Sequence, residues 1–276
     1  MKRGEFDAAK DLTLAAAVTR KDALRDTDHS VAPRLHKYKA TLTRALGKSV
    51  TFELDADSIG AATRQCDALK NPLLAAELPV LVEALRHVGH HQTRNRGTVG
   101  GSIALGEPAA EQPACAVALG ASIEIASVRG QRSVPAIEFY VGPYMTILEP
   151  DELVTAITFP HWPSGHTPLF RELAQRPGDF ALVGMVGALA LENGTISRVG
   201  LGWFGMGGTP IRAYAAEAAL LGQALGSINA DTIAELALSE CAPFDDHHAS
   251  AEYRRTVGKR LFAKTLREAL TVREAA

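Results

Sequence analysis

The chain has 276 residues, 46% of them apolar and 22% charged, the balance of a folded globular protein and not of a disordered one. Its 29 basic and 31 acidic residues give a formal charge of −2, so no basic face for nucleic acid is indicated. Cys66, Cys115 and Cys241 stand singly, without the spacing of a zinc site, a cysteine-ligated iron–sulfur cluster or a disulfide framework.

The opening MKRGEFDAAKD is charged where a signal peptide carries its apolar core, and no stretch reaches the roughly 20 apolar residues of a spanning helix. A reduced, cytoplasmic protein is expected. Leu12 to Leu24, rich in alanine and leucine, predicts a helix. Polar RDTDHS and Pro33 follow, then a basic run from Arg34 to Lys48, read as a solvated face. From Ser49 the texture changes: VTFEL alternates as a strand, and IGAATR carries the small residues of a strand end or turn. Leu78, Leu81, Val82, Leu85 and Val88 recur near helical spacing and predict a helix over 78–90, running into the loop RNRGTVGGS.

Pro108 and Pro113 punctuate the next stretch. Strands are expected in ASIEIASV, RSVPAIEF and ELVTAITFP, the last closed by Pro160. Two prolines and a glycine in HWPSGHTP, 161–168, mark a domain boundary. Beyond it come strands in ALVGMVGALALE and ISRVGLGWFGM, a GGTP turn, and helices over 212–225, 232–241 and 250–270. Strands first and helices afterwards indicate a separate α+β domain.

The sharpest local feature is Arg94-Asn95-Arg96-Gly97-Thr98-Val99-Gly100-Gly101-Ser102. Its glycines permit positive φ and close backbone approach, and successive N–H groups in such a turn can converge on a phosphate. Thr98 and Ser102 add hydroxyls, and Arg94 or Arg96 positive charge. The GxxxxGK[ST] spacing is missing, so a phosphate loop and a plain tight turn both remain open on these residues alone. Gly200-Leu201-Gly202-Trp203-Phe204-Gly205 fits GxGxxG, but its apolar continuation reads as strand and not as a dinucleotide loop. Glu83, His87, His90 and His91 fall near one helical face, and Asp245-Asp246-His247-His248 forms a second polar cluster; both read as surface or capping groups. No residue is assigned a catalytic or metal-ligating role.

QTRNRGTVGGSIALGEPAAEQPACAVALGASIEI, GQRSVPAIEFYVGPYMTILEPDELVTAITFP and RPGDFALVGMVGALALENGTISRVGLGWFGMGGTPIRAYAAEAALLG resemble, in order and spacing, the FAD-binding medium subunits of the molybdenum hydroxylases. The likeness runs over about residues 50 to 270. It implies an α+β fold in two parts. The first is a two-lobed FAD-binding domain of the vanillyl-alcohol oxidase/p-cresol methylhydroxylase type over 1–163, with a divergent first lobe (1–48) and a second lobe (49–163). A smaller α+β C-terminal domain follows over 164–276. By the same resemblance Thr98, Val99, Gly100, Gly101 and Ser102 form a pyrophosphate loop. Glu111, Leu153 with Val154, Arg171 and Phe180 line the cofactor. An aspartate at Gly100 or Gly101 is expected to expel it.

The N-terminus departs from the family pattern. Where relatives carry an AGGTDL- or AGGQSL-like loop, this chain has ALRDTDHSVAPRL, without paired glycines and with Asp26 and Asp28 positioned to repel a pyrophosphate. The resemblance implies an FAD-dependent electron-transfer subunit. It would take electrons from a small iron–sulfur partner and serve a large molybdenum-cofactor partner, in a dimer of heterotrimers without nucleic acid or a membrane span. The rival reading is a flavin-free structural subunit.

Overall fold

The computed structural model describes residues 58–274. The readings at 12–24, 25–30, 34–48 and 50–54 lie outside the described residues.

The first unit is built on an antiparallel sheet of four strands in the order β1-β6-β2-β3: β1 (Ser58–Gly60), β2 (Ser122–Ser127), β3 (Gly130–Pro135) and β6 (Leu153–Thr158). Between β1 and β2 run six short helices: α1 (Gln65–Leu69), α2 (Pro72–Glu77), α3 (Pro79–His87), α4 (His91–Arg96), α5 (Val99–Leu105) and α6 (Glu111–Ala118). Asn71 starts α2 by accepting hydrogen bonds from the Leu73 and Leu74 amides at 2.9 and 3.0 Å, with Pro72 in the first turn where its missing N–H costs nothing. α3 buries Val80, Leu81, Val82, Ala84 and Leu85. It ends at His87, short of the expected 90, because Gly89 turns the chain at φ +47° and the Arg94 guanidinium donates to the Val88 and Gly89 carbonyls.

Two sequence readings change here. The segment expected as a loop to Ser102 is already helical from Val99, and RSVPAIEF is strand only to Pro135, becoming the short helix α7 (Ala136–Phe139). A two-stranded hairpin, β4 (Tyr140–Gly142) with β5 (Met145–Thr146), then leads to β6.

The second unit is the antiparallel sheet β10-β9-β8-β7, formed by β7 (Thr167–Ala174), β8 (Ala181–Glu192), β9 (Thr195–Phe204) and β10 (Ile211–Arg212). β8 and β9 join through Asn193 and Gly194 at φ +51° and +78°, the two-residue turn whose twist suits paired strands. Helices α8 (Tyr214–Leu220), α9 (Ala230–Leu238) and α10 (Ala251–Glu274) cover one face of this sheet.

The two faces have different fates. Leu169, Val183, Met185, Leu189, Leu201 and Trp203 pack against α8, α9 and α10. Phe170, Val186, Ala188 and Phe204 face the other way and join the core of the first unit. That face carries the GxGxxG letters, and the reason is steric. A Cβ on Gly200 would lie 2.3 Å from the Ala118 carbonyl oxygen, and one on Gly202 3.0 Å from the Ala118 Cβ. These glycines let α6 lie directly on β9.

Candidate functional site

Thr98 to Ser102 form the start of α5. Thr98 is extended (φ −117°, ψ 157°) and caps the helix, its hydroxyl accepting from the Gly101 amide at 3.0 Å. The Val99 and Gly100 amides donate to the Thr63 and Ala61 carbonyls, each at 2.9 Å, and the Ser102 amide to the Thr98 carbonyl at 3.2 Å. The segment is thus not an open nest of backbone donors, and neither Gly100 nor Gly101 has positive φ.

The glycines act by their size. A Cβ on Gly100 would fall 2.3 Å from the Ala61 Cβ and 2.8 Å from its carbonyl oxygen, so the helix start seats on the end of β1 only without a side chain. Gly101 is exposed, between half-buried Thr98 and Ser102. Leu153 opens β6 opposite Ala126, half-buried like Val154, and α5 packs on this strand. Of the two arginines that could add charge, Arg94 closes α3 and Arg96 is exposed; Arg64, from just before α1, holds the Asn95 and Arg96 carbonyls at 2.7 and 3.2 Å.

Glu111 is the first residue of α6 and only 4% exposed. Burial pushes its carboxyl up to about 8, and the nearby Glu172 and Glu107 add to the rise. Glu172 on β7 is likewise pushed up by burial, to about 7. Its side chain is 5% exposed, with Oε2 4.0 Å from His87 Nδ1. Glu107 is buried, its Oε1 accepting from the Ala109 amide at 3.0 Å. Beside it Tyr144 takes the left-handed conformation at φ +55°, uncommon for a side chain of this size; burial and the Glu107 carboxylate push its phenol up to about 12. Among the described residues Glu107 Oε2, Glu172 Oε2 and both side-chain polar atoms of Gln112 find no hydrogen-bond partner.

Glu111 therefore lies near two other carboxyls that sequence reading missed, Glu107 and Glu172; half-exposed His87, noted there only among surface histidines, stands beside Glu172. Two residues named with it go elsewhere. Arg171 projects from the opposite face of β7 and pairs with Glu268 of α10, while Glu172, its neighbour, faces Glu111. Phe180 is 58% exposed, after a turn in which Gly178, at φ +90°, lies against His90. Glu83 and His87 pair at 3.7 Å, whereas His90 and His91 belong to the start of α4.

Comparison with known proteins places this arrangement. Residues 48–162 match the FAD binding domain in molybdopterin dehydrogenase, and residues 169–269 match the CO dehydrogenase flavoprotein C-terminal domain. The glyceraldehyde dehydrogenase medium chain of Sulfolobus acidocaldarius is 36% identical over 219 residues, covering 79% of this chain and 78% of that one. Quinoline 2-oxidoreductase from Pseudomonas putida 86 superposes with a TM-score of 0.76 at 28% identity, over 95% of this chain and 94% of that one. Carbon monoxide dehydrogenase from Hydrogenophaga pseudoflava lacking the Mo-pyranopterin moiety gives 0.75 at 34% identity, over 79% and 77%. With both units matched, in order, by the two halves of one flavoprotein type, the chain belongs to the FAD-binding medium subunits of the molybdenum hydroxylases, oxidoreductase components related to those of carbon monoxide and xanthine dehydrogenases.

Proposed function

We propose that this chain passes electrons from an iron–sulfur partner subunit through FAD to an external acceptor, while a large molybdenum-cofactor subunit oxidises the substrate. The assembly is read as a dimer of heterotrimers in the cytoplasm. Among the described residues no helix is long and apolar enough to cross a membrane. The FAD-binding domain is read as the two-lobed vanillyl-alcohol oxidase type over 1–163, followed by the C-terminal domain over 164–276.

The observation that carries this reading is the start of α5. Gly101 is exposed and offers no side chain to block a phosphate, hydroxyls stand on both sides of it at Thr98 and Ser102, and Gly100 is locked below against Ala61. Val99 and Gly100 shape the turn from beneath, with Thr98, Gly101 and Ser102 as its contacting surface. Leu153, with Val154, supplies apolar surface along the neighbouring strand. Glu111, with a pKa of about 8, stays largely protonated at neutral pH and so presents a hydrogen-bond donor without adding charge. The orphaned polar atoms of Glu107, Gln112 and Glu172 are buried groups for which a polar ligand supplies partners. The described residues thus fit a flavin nucleotide. Phe180, an exposed aromatic, and Arg171, paired with Glu268 of α10, complete the residues read as lining the cofactor. When bound, the flavin supplies two-electron and one-electron redox chemistry; the protein orients it and sets its electrostatic surroundings.

Gly101 gives the test. Asp at Gly101 adds a charge at an exposed position, its Cβ 2.8 Å from the Thr98 hydroxyl, which has to shift slightly, and repulsion of about 4 kcal/mol between charges 4 Å apart lowers affinity by about 700-fold. Asp at buried Gly100 disrupts folding instead, because the backbone of Ala61 cannot move aside. The expected result is stoichiometric flavin in the wild-type complex and a soluble, folded, colourless Gly101→Asp variant. Retention of flavin by that variant places the diphosphate elsewhere. A wild-type complex that is colourless and cannot be reconstituted with FAD favours the structural-subunit reading.

A further inference from the structure

The segment joining the two units, 161–167, is held down as a strap. Trp162 is 3% exposed and belongs to the core of the first unit, yet it is also gripped by the second. The Arg198 guanidinium of β9 lies over its indole, 4.0 Å from the ring centroid, and donates to the His161 carbonyl. From α10, Arg273 donates to the Gly165 carbonyl and to the Thr167 hydroxyl. Gly165, at φ +73°, turns the strap back on itself, and the His166 amide donates to the Pro163 carbonyl at 3.1 Å.

His166 is the buried titratable group of this strap. Its Nδ1 stands 3.1 Å from the Pro163 carbonyl oxygen. That oxygen only accepts, so Nδ1 carries the proton of the neutral ring and Nε2 is the bare acceptor. Nε2 is buried and finds no partner among the described residues. The neighbouring ring, Trp162, with centroids 5.6 Å apart, offers only an indole N–H that is itself unpartnered. A second proton on the imidazole therefore meets no acceptor there. It also adds charge between cations, with Arg198 on the Trp162 side and Arg273 bonded to the residues on either side of His166. Among the described residues the carboxylate on this side is Glu77 of α2, 3.8 Å from Nδ1 of the exposed His161. Burial holds His166 below the usual histidine range and the two arginines act in the same sense, while the Pro163 hydrogen bond and Glu77 oppose them without reversing the sign.

We propose that His166 makes this strap an acid-sensitive latch between the two units, closed while the ring is neutral and released when mild acid protonates it. In the released strap the imidazole stands in water, where it ionises at about pH 6.5. Below that pH the open form binds a proton that the closed form refuses. Opening then gains up to about tenfold for each pH unit, until the closed form takes the proton as well. Release costs the strap its bonds from Arg198 and Arg273 and uncovers Trp162. The sign is opposite to that of Glu111 and Glu172, whose protonation strengthens the folded chain in acid. Loosening of the strap is thereby distinguishable from unfolding of the whole.

Two measurements on the full chain test this: amide hydrogen exchange at His166 and Thr167, corrected for the intrinsic pH dependence of exchange, and quenching of Trp162 emission by acrylamide, taken as the difference from Trp162→Phe. Between about pH 7.5 and about pH 5.5 the wild type is expected to gain about tenfold in opening of the strap, with Trp162 becoming accessible to the quencher. Over the same range the amides of Ala181–Glu192 keep their protection. His166→Asn retains an N–H for the Pro163 carbonyl but takes no charge, and it is expected to abolish the acid gain. A His166 with a merely structural role would lower protection in that variant equally at every pH and leave the wild type without a slope, which overturns the latch. An acid gain that persists in His166→Asn, or one shared equally by Ala181–Glu192, overturns it too. Where that variant does not fold, the wild-type profile decides: strap protection that is flat through this range rejects the proposal, and a gain confined to the strap upholds it.

Discussion

Glu111 and Glu172 are buried carboxyls with no lysine or arginine partner among the described residues, and their pKa values show what holds them there. Neutral carboxyls bury far more cheaply than carboxylates, so folding favours the protonated form. In the unfolded chain such a group ionises near 4.5, whereas folded Glu111 does so at about 8. Between those values the native state keeps a proton that the unfolded state has lost. The protonation-linked contribution is therefore complete below about pH 4.5 and is lost as pH rises through about 8, and Glu172 acts in the same sense up to about 7. Glu152 has the opposite sign, because its hydrogen bonds from Arg132 hold it below the ordinary carboxylate range; its window closes in acid and does not overlap. The melting temperature of flavin-free protein should fall between about pH 5 and about pH 8. Glu111→Gln should flatten that slope. A wild-type melting temperature that rises over the same interval contradicts the burial of a protonated Glu111.

At the scale of elements, glycine placement decides which surfaces meet. Gly200 in β9 lies beneath the last turn of α6, and the atom a Cβ would strike is a backbone oxygen of Ala118, which cannot rotate away. Gly200→Ala should cost about 1–3 kcal/mol by forcing the helix off the sheet, read as a lower urea midpoint with an unchanged denaturant slope. A variant as stable as the wild type would show that α6 has room to shift. The same contact explains what sequence could and could not reveal. Ala181–Glu192 and Thr195–Phe204 were legible almost to the residue as long apolar runs, and Asn193-Gly194 as their turn falls between them. α6 was not legible: all eight of its residues are buried, so it shows no apolar stripe, and Pro113 looks like a breaker although it stands in the first turn, where proline is tolerated. β7 was hidden in a segment dominated by the prolines before it, and its residues, half-buried on both faces, blur any alternation. Thr98–Ser102 stood out because its glycines cluster locally, and Glu111 only through the resemblance. Glu172 did not, and its place beside His87 was not legible, because only the packing of β7 on α3 brings the two together.

The whole molecule is held together across that packing. Phe204 belongs to the second sheet, yet it is fully buried within the core of the first unit, stacked with Phe170 at 5.9 Å and filling the space above Gly184. The Gly205 amide donates across the boundary to the Pro108 carbonyl at 2.9 Å, and Arg254 of α10, 4% exposed, ties the Gly205 and Leu182 carbonyls to Asp246. The carboxyl group around Glu111 is therefore assembled only when both units are folded and docked, since Glu172 comes from one and Glu111 from the other. Phe204→Ala removes the ring that seals this junction and should cost about 3–5 kcal/mol. The informative readout is where that loss appears. If the two units fold as one cooperative structure, amide hydrogen exchange should accelerate in Glu111–Ala118 as much as in Ala181–Glu192, because the same opening exposes both. Protection lost in the strand alone would make the units energetically separate, and a buried carboxyl pair spanning them would then open to water independently of the fold on either side.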